Sequence, residues 1–470
     1  MDMTADNRQR QESVEITRDL LIRYDRPGPR YTSYPTVPSW SAAFTAAEYR
    51  ACLERAALKA GEPLSLYVHI PFCRKRCAFC GCNSIATEKL DVADKYLDHV
   101  ELELEMLAGL LTATRPLKQI HWGGGTPTYL STVQIARLFR AVAHRFEIPK
   151  DAEIAIEVDP RATTAEQVAL LRELGFNRIS MGVQDLDEQV QCEIGRNQTE
   201  AQTRALVDLC REAGFEGINM DLVYGLPGQT FASWSKTIPK IIEMRPDRLA
   251  VYSCAYLPDK MHNQRKLDAS KMPTGPEKYA LFAAARRMLT GAGYRAIGMD
   301  HFALPHDELT HAMDERRLHR NFMGYTVVPS SDMVACGISA IGEVGGGYAQ
   351  NDKKLSHYYN ALKEGRFATA LGCVLSPDDT IRRWTIRELM CNFHVSFAKL
   401  LERYGVVFED YFAEEIDALK AFEGEGFVTR DDAGLTVLPL GQVFVRNIAM
   451  VFDAYLKGTG AQPARFSRTV

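Results

Sequence analysis

From residue 64 to about residue 255, short apolar runs alternate with segments whose apolar residues recur at i, i+3, i+4 and i+7. The runs LSLYVHI (64–70), KQIHWGG (118–124), EIAIEVD (153–159), RISMGVQ (178–184), GINMDLVYG (217–225) and DRLAVYSCA (247–255) read as strands. Helical periodicity covers 94–111, 132–146, 164–175, 201–214 and 233–244, with Gly175 and Gly214 placed where a glycine commonly ends a helix. Pro239 lies inside the last of these and blurs its bounds. Strands alternating with helices predict a parallel sheet with right-handed crossovers, either open and doubly wound or curled into a barrel. Polar Glu157, Gln184 and Asp221 fall at the C-terminal ends of strands, where barrel enzymes hold their chemistry. This favours an α/β fold built on a partial, six-stranded (β/α)6 TIM-like barrel.

The pattern changes on both sides of that core, assigned to 61–275. Residues 1–60 contain YDRPGPRYTSYPTVPSW, too rich in Pro and Gly for a helix and too aromatic for a free linker, so an arm packed on the body is expected. Residues 276–375 read helix, turn, strand and are expected to extend and cover the barrel's open edge. Residues 376–470 read as a mostly helical C-terminal domain with one hairpin wing, FVTRDDAGLTVLP (427–439). A helix-plus-wing unit can bind DNA, but without a basic patch a lid or cap is the better reading.

Composition narrows the function. The 470 residues are 46% hydrophobic and 25% charged, an ordinary globular balance that predicts a large core. Formal net charge is −4 with no long basic run, which argues against a nucleic-acid partner and leaves room for a local basic pocket. The polar N-terminus has no signal-peptide pattern, and no apolar window is long enough for membrane insertion. The cysteine count, eleven, is odd, and four of them crowd into residues 73–82. That distribution argues against a disulfide framework and for a reducing, cytoplasmic setting.

The four are Cys73, Cys77, Cys80 and Cys82, in LYVHIPFCRKRCAFCGCN. The spacing Cys73-x3-Cys77-x2-Cys80 matches neither a zinc ribbon nor the common ferredoxin arrangements. Three thiolates on one short loop can hold three irons of a 4Fe–4S cube and leave the fourth open to a small molecule. A zinc-binding or simply buried cysteine cluster is the alternative. The motif resembles that of the radical S-adenosylmethionine enzymes, CxxxCxxC after the first strand of a βα barrel, with aromatic Phe79 before the third cysteine. After the second strand comes HWGGGTPTYL (121–130), whose glycines either make a tight turn or let the backbone approach a ligand's amino group.

A closer resemblance follows. GPRYTSYP, the cysteine loop, HWGGGTPTYL, IEVDP, FNRISMGVQD, MDLVYGLPGQT, GMDHFA, GISAIG and IRELMCNF together resemble the oxygen-independent coproporphyrinogen III oxidases of haem biosynthesis, from about Arg18 to Ser467. The resemblance implies conversion of two propionates of coproporphyrinogen III to vinyl groups, giving protoporphyrinogen IX through a 5′-deoxyadenosyl radical. The hydrogen removed sits on a carbon far too weakly acidic for any side-chain base, so general-base catalysis cannot start the reaction. One 4Fe–4S cluster on Cys73, Cys77 and Cys80 is implied. So are two S-adenosylmethionine sites, one formed by Tyr67, Gly124, Glu157 and Ile341, the other by Phe79, Gly125, Thr126, Gln184, Arg196, Asp221 and Ala255. Ile341 and Ala255 as plain core, and Arg196 as a surface ion pair, are the alternatives.

Cys82 would be required for activity without ligating the cluster; a buried structural thiol is the other reading. Related haem chaperones carry Phe at that position and lack much of the arm, so GCN and GPRYTSYP favour the oxidase over the chaperone. A tetrapyrrole methyltransferase is a third possibility. For the substrate's carboxylates the candidates are Arg30 and Arg320, either of which could instead secure its own segment. His69 reads as structural. Two departures stand out: Met323 replaces Gln in RNFQGYT, which bears on occupancy of the second site, and Ala78 replaces a Tyr in the cysteine loop. A one-electron donor and an electron acceptor are required, neither visible in the sequence, and a monomer is expected.

Overall fold

The computed structural model describes residues 16–111, 115–328, 332–457, 466 and 468–469. Residues 1–15 of the expected arm and 458–465 of the expected tail lie outside that set.

The six predicted strands form where their apolar runs lie: β1 (Leu64–Ile70), β2 (Leu117–Gly124), β3 (Glu153–Val158), β4 (Arg178–Gln184), β5 (Gly217–Tyr224) and β6 (Arg248–Ser253). They pair in parallel in chain order, with Tyr67 opposite His121, His121 opposite Ala155, and Asp221 opposite both Gly182 and Ala250. The sheet does not stop at six. It has twelve strands, with β7 (Arg295–Gly298), β8 (His301–Ala303), β9 (Asp332–Cys336), β10 (Ile341–Val344), β11 (Gly347–Asn351) and β12 (Thr369–Val374) completing the order β12-β11-β10-β9-β1-β2-β3-β4-β5-β6-β8-β7. Strand β1 pairs in parallel with the wholly buried β9. Strand β6 pairs antiparallel with β8. Both additions satisfy backbone groups that an exposed edge would leave open. The 276–375 region therefore extends the sheet in both directions and does more than cover it.

Helices α1 (Val92–Leu111), α2 (Thr132–Ala143), α3 (Ala165–Glu173), α4 (Glu200–Glu212), α5 (Phe231–Met244) and α6 (Gly275–Gly291) follow the strands. Ser131, Thr164 and Thr199 each open a helix with a capping box closed by a glutamine three residues on. Such a cap contributes about 1 kcal/mol. Pro239 sits on the exposed side of α5, which runs through it. A six-residue helix, Glu188–Glu193, follows β4 and had no periodic signal. Leu66, Trp122, Ile156, Met220 and Trp234 centre a core fully removed from water.

A second core joins the arm to the tail, packing Tyr24, Tyr31 and Tyr34 against residues such as Trp384, Phe427 and Phe444. The predicted hairpin, Val428–Asp431 with Gly434–Val437, gains a third strand, His394–Ser396. The arm is clasped near residue 469. Pro27 bridges Arg468, the Thr469 amide donates to the Arg26 carbonyl (2.8 Å), and Tyr31 donates to Asp453 (3.0 Å). Among the described residues no helix is long and apolar enough to cross a membrane.

Candidate active site

The cysteine loop leaves the end of β1 and is secured at once. Phe72–Cys73 ladders with Ile85–Ala86, and the glycine loop after β2 docks on the same segment. The Gly125 amide donates to the Ile70 carbonyl and the Thr126 amide to the Phe72 carbonyl, each at 2.8 Å. A Cβ on Gly125 would lie 2.6 Å from the Pro71 backbone, and Gly124 has φ +116° with the His69 ring against it. The glycines are thus needed for close approach of two loops as well as for any ligand. His69 itself is satisfied by the Tyr67 hydroxyl (3.1 Å) and the Asn83 carbonyl (3.0 Å), in keeping with its structural reading.

A cavity of about 750 Å³ opens at the C-terminal strand ends. Cys73, Cys77, Cys80 and Cys82 border it, together with Phe79, Gly124, Gly125 and Thr126 from the two loops. Glu157, Gln184, Arg196 and Asp221 complete the gathering of sequence-predicted residues. Among the described residues no three His, Cys, Asp or Glu side chains converge on a point that would hold a single ion. A 4Fe–4S cube gives each thiolate its own iron, so thiols standing around an open space, with no convergence on one ion, suit that group.

The carboxylates differ in state. Burial pushes Glu157 upward, but His121 Nε2 (3.1 Å) and the Gly124 amide (3.2 Å) outweigh it and hold the group below its ordinary range. Burial and the neighbouring Glu157 charge push Asp221 up to about 7, against hydrogen bonds from Asn219 (2.9 Å) and Ser180 (3.3 Å). Near neutrality one acid is ionised and the other is held at its midpoint.

Arg196 is only 7% exposed, so the surface ion-pair alternative fails. It pairs with Asp159 (3.0 Å) and reaches within 3.6 Å of Cys77 Sγ; its Nε is buried without a partner. Arg161 pairs with the same Asp159 (2.7 Å) and comes within 3.8 Å of the same sulfur. Gln184 adopts φ +71° where the register between β4 and β5 shifts, a bulge that re-aims its side chain toward the cavity. The orphaned guanidinium nitrogen, the glycine cradle and the soft sulfur donors fit a cluster beside an amino-acid-bearing cofactor.

The remaining candidates lie apart from this cavity. Tyr67 faces the sheet's interior below it, stacked on His121 (centroids 6.0 Å apart). Ile341 is half-buried at the start of β10, and Ala255 is exposed with its carbonyl accepting from Gln264 (2.9 Å), so Ala255 is not plain core. Cys82, at the border of the cavity, is exposed as a residue, while its thiol is turned toward Cys80 and pushed up by that contact and by burial. Arg30 pairs with Asp300, and Arg320 donates to the Arg30 carbonyl, so both make structural contacts outside the cysteine cavity. A second space of about 800 Å³ continues inward between the strands, sharing Glu157, Ser180 and Asp221 with the first and lined further in by Tyr252, His301 and Met323.

Sequence reasoning missed Asp159, Arg161, His121 and a clamp on the cysteine loop. Asn263 Nδ2 lies within donating distance of the carbonyls of Cys77 (3.2 Å), Ala78 (3.0 Å) and Cys80 (2.8 Å). Gln264 donates to the Phe79 carbonyl (2.8 Å). The polar run HNQRK in a turn-rich stretch was the available signal; Asp159 stood in the quoted IEVDP without an assigned partner.

Residues 67–239 match the radical SAM superfamily and residues 375–444 match the HemN C-terminal domain. The oxygen-independent coproporphyrinogen III oxidase of Salmonella typhimurium is 44% identical over 98% of this chain and 100% of its own length. That of Synechocystis is 42% identical over 97% and 99%. The solved structure of the Escherichia coli coproporphyrinogen III oxidase, described as a radical SAM enzyme, superposes with a TM-score of 0.89 at 42% identity, covering 95% of this chain and 100% of that one. With identity at this level over nearly the whole of each chain, the chain belongs to the family of oxygen-independent coproporphyrinogen III oxidases.

Proposed function

We infer that this chain catalyses the oxygen-independent oxidative decarboxylation of two propionates of coproporphyrinogen III to vinyl groups, giving protoporphyrinogen IX. Each propionate loses CO2, one hydrogen atom and one further electron, so a one-electron donor and an electron acceptor are required as partners. The observation that carries the reading is the single cavity bringing three loop thiols beside Glu157, Arg196 and Asp221, in a chain whose relatives of that name match it end to end. A 4Fe–4S cluster with S-adenosylmethionine supplies a hydrogen-abstracting carbon radical there.

The protein's share is holding and excluding. Cys73, Cys77 and Cys80 are proposed as ligands to three irons. Glu157, ionised and fixed by His121, suits a cationic or hydroxyl-bearing ligand, joined at a first site by Tyr67, Gly124 and Ile341. Asp221, Arg196 and Gln184, with Phe79, Gly125, Thr126 and the Ala255 backbone, would form the second. Met323, lining the inner space, leaves that space without the amide the family pattern carries. Cys82, exposed beside the ligand thiols, is proposed to act on substrate and not on iron. The six parallel strands are read as a partial barrel enclosing the inner space, supported by one cavity reached from β2 through β6. The boundaries 1–60, 61–275, 276–375 and 376–470, a monomer and a cytoplasmic setting complete the proposal.

Anaerobic reconstitution with iron and sulfide, followed by S-adenosylmethionine, a one-electron reductant, coproporphyrinogen III and cell extract, tests it. Loss of two CO2 units from the tetrapyrrole together with 5′-deoxyadenosine is expected by mass spectrometry. Deoxyadenosine without tetrapyrrole conversion would reject the substrate, and neither product from an intact cluster would favour the chaperone reading.

A further inference from the structure

A third cavity, of about 820 Å³, lies on the opposite face of the sheet from the inner space. Tyr224 and Ser253 line it, alternating in the strand pleat with Asp221 and Tyr252, which face inward. Helix α6, the β7–β8 turn, Arg30 of the arm and residues 442–446 of the tail form its other walls.

The wall is short of negative charge. Among the described residues it contains four arginines, Arg30, Arg286, Arg446 and Arg468, and a single side-chain carboxylate, Asp300. Asp300 is already shared, one oxygen pairing with Arg30 and the other accepting from His301 Nδ1 at 2.9 Å. Arg446, 6% exposed, donates to the carbonyls of Pro29 (2.9 Å), Arg468 (2.8 Å) and Gly28. Arg468 pairs with Asp25 outside the wall. The half-buried Arg286 guanidinium has no hydrogen bond or ion pair with any described residue, and burial works against its charge. Cations withdrawn from water without counterions are costly, and a guanidinium offers a planar fork matched to carboxylate. Beside Arg286 the surface is aromatic: Tyr279 lines the cavity, and the Tyr224 and Phe282 rings stand 5.6 Å apart.

We propose that this outer cavity binds a ring-bearing carboxylate, with Arg286 as the principal cation for its carboxylate and Tyr224, Tyr279 and Phe282 against its rings. Two sources carry that chemistry: a tetrapyrrole held by its propionates, which rests on the function proposed above, or a separate small aromatic carboxylate, which does not.

Fluorescence titration of the full chain with oxidised, unreactive coproporphyrin III and, separately, with 2,6-naphthalenedicarboxylate tests the site. Arg286→Gln is expected to weaken binding about tenfold or more while the melting temperature stays near that of the wild type, and Arg286→Lys to recover part of the loss. Loss confined to coproporphyrin assigns the tetrapyrrole source; loss for the naphthalene dicarboxylate, alone or with coproporphyrin, assigns a general aromatic-carboxylate site. Failure of both probes to bind the wild type below millimolar concentration, or unchanged binding by a folded Arg286→Gln variant, overturns the proposal. Should Arg286→Gln not fold, unchanged affinity in Arg286→Lys together with loss in Tyr279→Ala would overturn the role of the arginine. The titration reads binding alone, so its failure is separable from failure of the decarboxylation assay.

Discussion

Asn263→Ala should loosen the cysteine loop without unfolding the protein. The Asn263 amide has two hydrogens facing three carbonyls at 2.8–3.2 Å, so two bonds are well made at any moment. At about 1 kcal/mol net each, removal costs the loop about 2 kcal/mol. Asn263 Oδ1 is buried without a partner, and deleting it returns part of that. A loss of about 1–2 kcal/mol raises the population of the opened loop roughly 5- to 30-fold. The Ala78 amide reports this directly, because it donates to the Ile194 carbonyl at 2.9 Å only while the loop is docked. Native-state hydrogen exchange across 77–82 should accelerate by that factor, with exchange in β3 and β5 unchanged. Asn263→Asp, which points oxygens at carbonyl oxygens, should accelerate it further. Exchange at Ala78 within twofold of the wild type in folded Asn263→Ala would show that other contacts hold the loop and that the reasoning is wrong.

Three further outcomes are expected. Asp221 keeps its proton in the native state up to about pH 7, whereas the unfolded chain releases it near its ordinary value, so stability falls as pH rises across that window. Asp221→Asn should therefore gain on the order of 1–3 kcal/mol relative to the wild type between pH 4 and pH 8, read by denaturant titration at each pH; a constant difference would show that Asp221 is ionised throughout. Gly125→Ala forces a Cβ to 2.6 Å from the Pro71 backbone and should cost about 1–3 kcal/mol, with lower iron content after reconstitution; wild-type melting would mean the two loops can part freely. Serine at Cys73, Cys77 or Cys80 should abolish the iron–sulfur absorbance, while Cys82→Ser should keep it and lose turnover. Equal loss of iron in all four variants would make Cys82 a ligand.

Much of the core was legible because its signals are local. The six parallel strands carry continuous apolar runs, and α2, α3 and α4 open on Ser or Thr with Gln three residues later, a pattern visible in the sequence. Strand β9 was not legible as the neighbour of β1: DMVAC is five residues, all buried, and its parallel partner lies more than 250 positions earlier with no short-range mark of the pairing. The site divides in the same way. Residues named by motif, such as the loop cysteines and glycines, meet in one cavity. Asp159 and Asn263 act through partners set by tertiary structure, the first through Arg196 and the second through loop carbonyls. Arg30 shows the same limit: its ion pair with Asp300 depends on a position that no spacing in the sequence reveals.

The clasp between the arm and residue 469 also sets an order of assembly. Strand β12, the last of the sheet, ends at Val374, so every strand has been synthesised while the tail is still being made. Chains fold by units from the N-terminus as synthesis proceeds. The backbone pairing of Arg26 and Pro27 must nevertheless wait for Arg468 and Thr469, and Arg446 can grip Gly28 and Pro29 only after its own unit has folded. The earliest described segment of the chain is thus among the last to lock. A truncation shortly before residue 446 would leave the sheet intact and free Gly28 and Pro29 from their grip, with Arg30 then held to the body by Asp300 and Arg320.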